Sequence, residues 1–83
     1  MKSAVVLREL GADYHIRVID KERVVYRDFG TFDVEISGLD THLVGCAIYV
    51  WEKCPVLQIA EVHTVNSLDA LKTTLAEIER LRG

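Results

Sequence analysis

Residues 42–65 form the most apolar segment of the chain and read HLVGCAIYVWEKCPVLQIAEVHTV. The run Glu-Lys-Cys-Pro at 52–55 interrupts this segment near its middle, which predicts two strands, 42–51 and 56–65, joined by a short loop. Both faces of the strand pair are apolar, because hydrophobic residues occupy neighbouring positions as well as alternate ones. One helix follows the pair, and one helix covers one face of a sheet. The sequence therefore predicts a second sheet face that needs a cover of its own.

The register of this pair decides which side chains share a face. A loop with an even number of residues sets four pairs opposite each other: Val50 and Leu57, Ile48 and Ile59, Cys46 and Glu61, and Val44 and His63. The face that carries these pairs is large and β-branched, whereas the other face carries Gly45, Ala47, Tyr49, Ala60 and Val62. Because small residues let a helix approach closely, we expect the helix on this second, smaller face. A loop with an odd number of residues would shift the pairing by one position and disperse both groups.

The chain before this segment predicts further strands. Phe32, Val34 and Ile36 alternate strictly with polar residues, which indicates a half-buried strand. Similar β-rich segments separated by turn residues lie at 3–10, 14–19 and 23–29.

The last part of the chain predicts a helix from Asn66 or Ser67 to the residue before Gly83. Asn or Ser at this start can accept hydrogen bonds from free amides of the first turn, and Asp69 complements the positive end of the helix dipole. One apolar stripe runs along the helix, formed by Leu68, Leu71, Leu75, Ile78 and Leu81. A single stripe indicates a single buried face.

Together these patterns predict an α+β fold in one domain spanning residues 1–83. The expected architecture is an antiparallel meander sheet of five or six strands, with one C-terminal α-helix packed on one face. A domain of this size buries roughly 60% of its unfolded surface, so it has little stability to spare.

Composition excludes several functions. The net charge of −3 gives no reason to bind nucleic acid or an anionic membrane, and the short apolar run near the N-terminus predicts neither a signal peptide nor a membrane span. Cys46 and Cys54 fit no disulfide framework or zinc spacing, so we expect reduced thiols and a cytoplasmic protein. No glycine-rich loop precedes the helix, and the sequence therefore predicts no cofactor.

The large β-branched face, which the helix is expected to leave uncovered, predicts an interface. Burying each of its large apolar side chains is worth about 1.5–3 kcal/mol, so the sheet must curl over them, pair with a second copy, or bind another protein. Aromatic residues near the hairpin tip are suited to anchor such contacts. The predicted interface residues are Val44, Ile48, Val50, Leu57, Ile59, Tyr49 and Trp51.

We therefore expect a small protein-interaction module without catalytic activity. It would be an inhibitor or an antitoxin- or immunity-like protein that acts by steric occlusion, as a homodimer or with another protein. The alternative is a small metal-dependent or thiol enzyme, because the register above gathers His42, Cys46, Glu61 and His63 on one face.

Overall fold

A computed structural model describes residues 1–83, with five strands between two helices along the chain. The elements are α1 (Ser3–Leu10), β1 (His15–Ile19), β2 (Glu22–Asp28), β3 (Phe32–Ser37), β4 (Cys46–Glu52), β5 (Gln58–Val65) and α2 (Leu68–Arg82). The strands lie in the sheet in chain order, each antiparallel to the next. The predicted α+β class, antiparallel meander and C-terminal helix are confirmed, and the sheet has five strands.

The segment predicted as a first strand is instead the helix α1, so that prediction was wrong. Ser3 and Val6 are buried, and Leu7 and Leu10 pack against the core. These positions follow the i, i+3, i+4, i+7 spacing of a helix face. Asp40 accepts a hydrogen bond from the Ser3 amide at 2.9 Å. This long-range partner at the helix start is invisible to any local sequence pattern.

The C-terminal helix α2 follows its prediction closely. The Ser67 hydroxyl accepts a hydrogen bond from the Ala70 amide at 3.1 Å, as an N-cap does. Leu71, Leu75 and Ile78 are buried in the core, whereas Leu81, at the end of the predicted stripe, is exposed. The helix therefore buries its central turns in the core, and its last turn contacts the sheet through Arg82, which donates to Glu61.

Both helices cover the sheet face that carries the large β-branched residues. Val34, Ile36, Ile48 and Val50 are fully buried there, in one cluster with residues of α1 and α2 such as Val6 and Leu71. The expectation that the helix covers the smaller face was wrong. The physical reason is that stabilisation grows with the apolar area removed from water, and the β-branched face offers more of it.

The pairing of β4 with β5 also differs from the prediction. Four pairs show the observed register: Cys46 with Val65, Ile48 with His63, Val50 with Glu61, and Trp51 with Ile59. The partners of Cys46, Ile48 and Val50 each lie four residues further along β5 than predicted. Val44 lies before the start of β4 and has no partner in β5. The loop holds residues 53–57, an odd number, and a β-bulge between Val50 and Trp51 absorbs the extra residue. Beyond the bulge, from Glu61 to Val65, the side chains of β5 therefore lie on the faces that the prediction assigns to them.

The bulge places Ala60 as the unpaired residue of β5. Ile59 lies opposite Trp51 and Glu61 lies opposite Val50, so Ile59 and Glu61 point to opposite faces although they are two residues apart. Ile59 therefore lies on the sheet face away from the helices, which we call the open face. The bulge decides the composition of that face.

Candidate interaction surface

The open face is divided into a polar part on β2 and β3 and an apolar part on β4 and β5. The register places Tyr26 beside Glu35, and Glu35 beside Tyr49, across the sheet. The same row continues from Tyr49 to Val62 on β5. A single row thus crosses from polar to apolar side chains at the boundary between β3 and β4.

Two carboxylates form the centre of the polar part. The Tyr26 hydroxyl donates to Asp33 Oδ2 at 2.5 Å, and Lys53 Nζ lies 2.9 Å from Asp33 Oδ1. Both Asp33 and Glu35 are buried although no helix covers them. Buried carboxylates of this kind are stable only when partners satisfy them.

Glu35 has a separate pair of partners. The Trp51 indole Nε1 donates to Glu35 Oε1 at 3.1 Å, and the Ser37 hydroxyl donates to Glu35 Oε2 at 2.5 Å. The Trp51 ring is thereby fixed in orientation at the edge of the apolar part. The polar network positions the aromatic residue that the sequence singled out.

Long side chains of the sheet itself cover the polar part, because no helix lies on the open face. The Arg17 guanidinium lies 4.1 Å from the centroid of the Tyr26 ring, a cation–π contact. Val24, beside Arg17 in the register of β1 and β2, is fully buried. The polar part is therefore closed by its own side chains and offers no apolar area to a partner.

Burial, followed by the hydrogen bond to Asp33, raises the pKa of Tyr26 from 10.0 to about 12. Because the folded state holds this proton more tightly than the unfolded state, the stabilisation is complete below pH 10 and is lost as the pH rises toward 12. We expect the free energy of unfolding to fall across this interval, and to fall less steeply in the Tyr26→Phe variant. Urea denaturation at a series of alkaline pH values measures both slopes, and equal slopes would contradict the assignment.

The apolar part of the open face consists of Ala47, Tyr49, Trp51, Ile59 and Val62, a set called here the apolar patch. Val62 is 54% exposed and Ile59 is 46% exposed, and the other three are half-buried. The patch lies on β4 and on β5, the last strand of the sheet. A cluster of exposed large apolar side chains at a sheet edge is typical of a protein-binding surface.

Other exposed apolar residues lie at the two ends of the β4–β5 pair. Leu43 and Val44 are exposed in the loop before β4 and line an open pocket of about 460 Å³ with Ala47 and Val65. Val56 and Leu57 are exposed in the loop after β4. Both loops extend the apolar surface beyond the ends of the strands.

The structure places the seven predicted interface residues in three environments. Ile48 and Val50 are fully buried beneath the helices, so they are unavailable to a partner, and their assignment to an uncovered face was wrong. Val44, Leu57 and Ile59 are exposed, and Tyr49 and Trp51 are half-buried on the open face. That these five residues form an interface stays a prediction.

The four residues of the alternative enzyme site are only partly brought together. Glu61 and His63 are hydrogen-bonded at 2.9 Å, whereas Cys46 lies opposite Val65 and His42 lies in the loop before β4. Burial raises the pKa of the Cys46 thiol, which disfavours the reactive thiolate. No group of three or more His, Cys, Asp or Glu side chains is arranged to hold a metal ion.

Glu61 is instead part of an ion-pair cluster at the β5 edge. His63 Nε2 lies 2.9 Å from Glu61 Oε1, and Arg82 Nε donates to Glu61 Oε2 at 2.6 Å. The hydrogen bonds from His63 and Arg82 lower the pKa of the Glu61 carboxyl. A negative and a basic group therefore lie two residues apart on the last strand of the sheet.

No known protein family, curated protein or solved structure shows significant similarity to this chain. Neither helix has the length and apolar character that crossing a membrane requires. The assignment of function therefore depends on the surface itself.

Sequence reasoning missed two components of this surface. The sequence predicts Val62 on the face covered by the helix, because it predicts the β-branched face to be the uncovered one. It also predicts that Asp33 and Glu35 lie on the solvated side of a half-buried strand, whereas both are buried. Their proximity to the aromatic residues Tyr26 and Trp51 depends on cross-strand register, which has no local sequence signal.

Proposed function

We propose that this protein is a binding module without catalytic activity, which uses the apolar patch to cover a surface of another protein. The observation that carries the proposal is the exposure of Ile59 and Val62 beside Tyr49 and Trp51 on a face that neither helix covers. Aromatic side chains that belong to an apolar surface supply much of the binding energy in protein interfaces. Steric occlusion by such a surface is the mode of action of an inhibitor or antitoxin-like protein.

The hydrogen bond between Trp51 and Glu35 supports this role. A side chain that is already fixed loses little conformational entropy on binding, which saves about 0.5–1.5 kcal/mol per immobilised side chain. Trp51 is fixed through its indole nitrogen, so its ring is held in place before a partner arrives. The polar part of the open face thus serves as a support for the apolar patch.

A photoreactive benzoylphenylalanine at position 49 tests the proposal in the organism that encodes the protein. We expect irradiation to give a discrete covalent adduct with another protein, because Tyr49 lies within the apolar patch. The matched control carries the same group at Val18, an exposed apolar residue on β1, at the opposite edge of the sheet. Equal adducts from both positions, or none from position 49, would contradict the proposal.

A second measurement uses the captured protein in purified form. Trp51 is the only tryptophan of the chain, so its fluorescence reports directly on the apolar patch. We expect a saturable change in Trp51 emission on titration with the purified partner, and no change with the Val62→Asp variant. Unchanged emission in the native protein would show that the capture did not involve this surface.

A further inference from the structure

The outer edge of β5 is long and carries few of the residues that usually protect the edge of a sheet. Natural sheets protect their edges with short strands, lysines, prolines, β-bulges or inward-pointing charges. The bulge of β5 lies at Ala60, and the residues beyond it, from Glu61 to Val65, pair regularly with β4. Glu61 is paired with Arg82 of α2. The other edge strand, β1, has five residues, including Arg17, whereas β5 has eight and contains no lysine, arginine or proline. A groove of about 310 Å³ lies between β5 and α2, lined by residues such as Glu61, His63 and Leu81, and leaves space for side chains beside an added strand.

We propose that a second copy of this chain adds to this edge, with β5 antiparallel to β5 of the other copy about a two-fold axis. The proposal extends the proposed function, because the two sheets would become one sheet of ten strands with two apolar patches side by side. An isologous contact of this kind closes on itself and leaves neither β5 edge free.

The side chains select one register for this pairing. Residues directly opposite each other in an antiparallel pair lie on the same face, so covered-face residues must pair with covered-face residues. The register centred on Val62 sets Val62 opposite its own copy and Glu61 of each copy opposite His63 of the other. Glu61 and His63, which are hydrogen-bonded within each chain, then also lie opposite His63 and Glu61 of the other copy, so that four groups of complementary character meet on the covered face. One apolar pair lies on the open face.

The neighbouring registers are less favourable. Centring the axis on Glu61 sets two carboxylates directly opposite each other, and centring it on His63 sets two imidazoles opposite each other and removes the apolar pair. Like charges directly opposite are destabilising in a sheet. The alternation of Glu61, Val62 and His63 is therefore self-complementary in one register only.

Disulfide trapping tests the register in the purified protein. In a Cys54→Ser background, Val62→Cys is expected to form an interchain disulfide on mild oxidation, because opposite residues in such a pair have Cα atoms about 4.5–5.5 Å apart. The matched control is Thr64→Cys, on the same face of the same strand. Its copies would be separated by four residues, about 13 Å, too far for a disulfide. Equal trapping at both positions, or none at position 62, would overturn the register.

Charge exchange tests the association independently of cysteine chemistry. By sedimentation equilibrium we expect the native chain to be a dimer, His63→Glu to be at least tenfold weaker in association, and the exchanged variant Glu61→His/His63→Glu to recover it. Circular dichroism verifies that each variant is folded. A monomeric native chain at all concentrations, or a His63→Glu variant that dimerises normally, would overturn this inference. Either result leaves the Tyr49 cross-linking test of the proposed function unaffected.

Discussion

Replacement of Ile48 by alanine is expected to lower the free energy of unfolding by about 2–5 kcal/mol, the range for truncation of a fully buried aliphatic side chain. Ile48 has no exposed surface and lies in the core between the sheet and the helices. Because small domains are stable by only about 5–15 kcal/mol, the variant will be close to unfolding at moderate temperature. Urea denaturation followed by far-ultraviolet circular dichroism at low temperature measures the difference.

Ile59→Ala is the matched control, because it makes the same chemical change on the neighbouring strand. Ile59 is half-exposed on the open face, so we expect a loss below about 1 kcal/mol, as for most surface positions. Similar losses in the free energy of unfolding for the two variants would contradict the assignment of Ile48 to the face covered by the helices and of Ile59 to the open face. The pair of measurements therefore tests the assignment of the covered face directly.

Replacement of Glu35 by leucine is expected to cost about 2–4 kcal/mol, because each buried polar group left without a partner costs about 1–3 kcal/mol. The change removes the acceptor of both the Trp51 indole and the Ser37 hydroxyl. The same release of the indole is expected to broaden and shift Trp51 fluorescence toward that of a solvated ring. Thermal denaturation and emission spectra of the folded variant measure the two effects.

Glu35→Gln is the control for this prediction. Its amide oxygen can still accept from the indole, and its amide group can donate to the Ser37 hydroxyl oxygen. We expect most of the stability and the native Trp51 emission to be retained. A glutamine variant as unstable as the leucine variant would show that charge, and not hydrogen bonding, maintains the network.

Much of the fold follows from the sequence, because local patterns specify it. The strict alternation from Phe32 to Ser37 and the capped stripe of α2 depend on neighbouring residues alone, and both elements form where they are predicted. The strand was expected to be half-buried, whereas all six of its residues are buried. The strand predicted at residues 3–10 was wrong because contacts with distant residues decide the structure of this segment. Ser3–Leu10 has apolar residues compatible with either period, and its contacts with the core and with Asp40 favour the helix.

The interaction surface was less predictable than the fold. To define this surface, one must know which face the helices cover and how β4 pairs with β5. Both depend on contacts across the sheet. The sequence set Tyr49 on the face expected under the helix, whereas Tyr49 and Trp51 lie half-buried on the open face. It could not indicate that Ile48 and Val50 are core residues, since their hydrophobicity is equally compatible with a core and an interface.

The extra residue at Ala60 has a consequence for the evolution of this chain. Deleting Ala60 would set Ile59 directly before Glu61 and still opposite Trp51, so both residues would keep their faces and the ladder would lose only its bulge. The bulge therefore lets this segment differ in length by one residue while the apolar patch keeps its composition. Among descendants of one ancestor, we expect a one-residue deletion at this position to be tolerated far better than one within Glu61–Val65, which would exchange the faces of the residues before it.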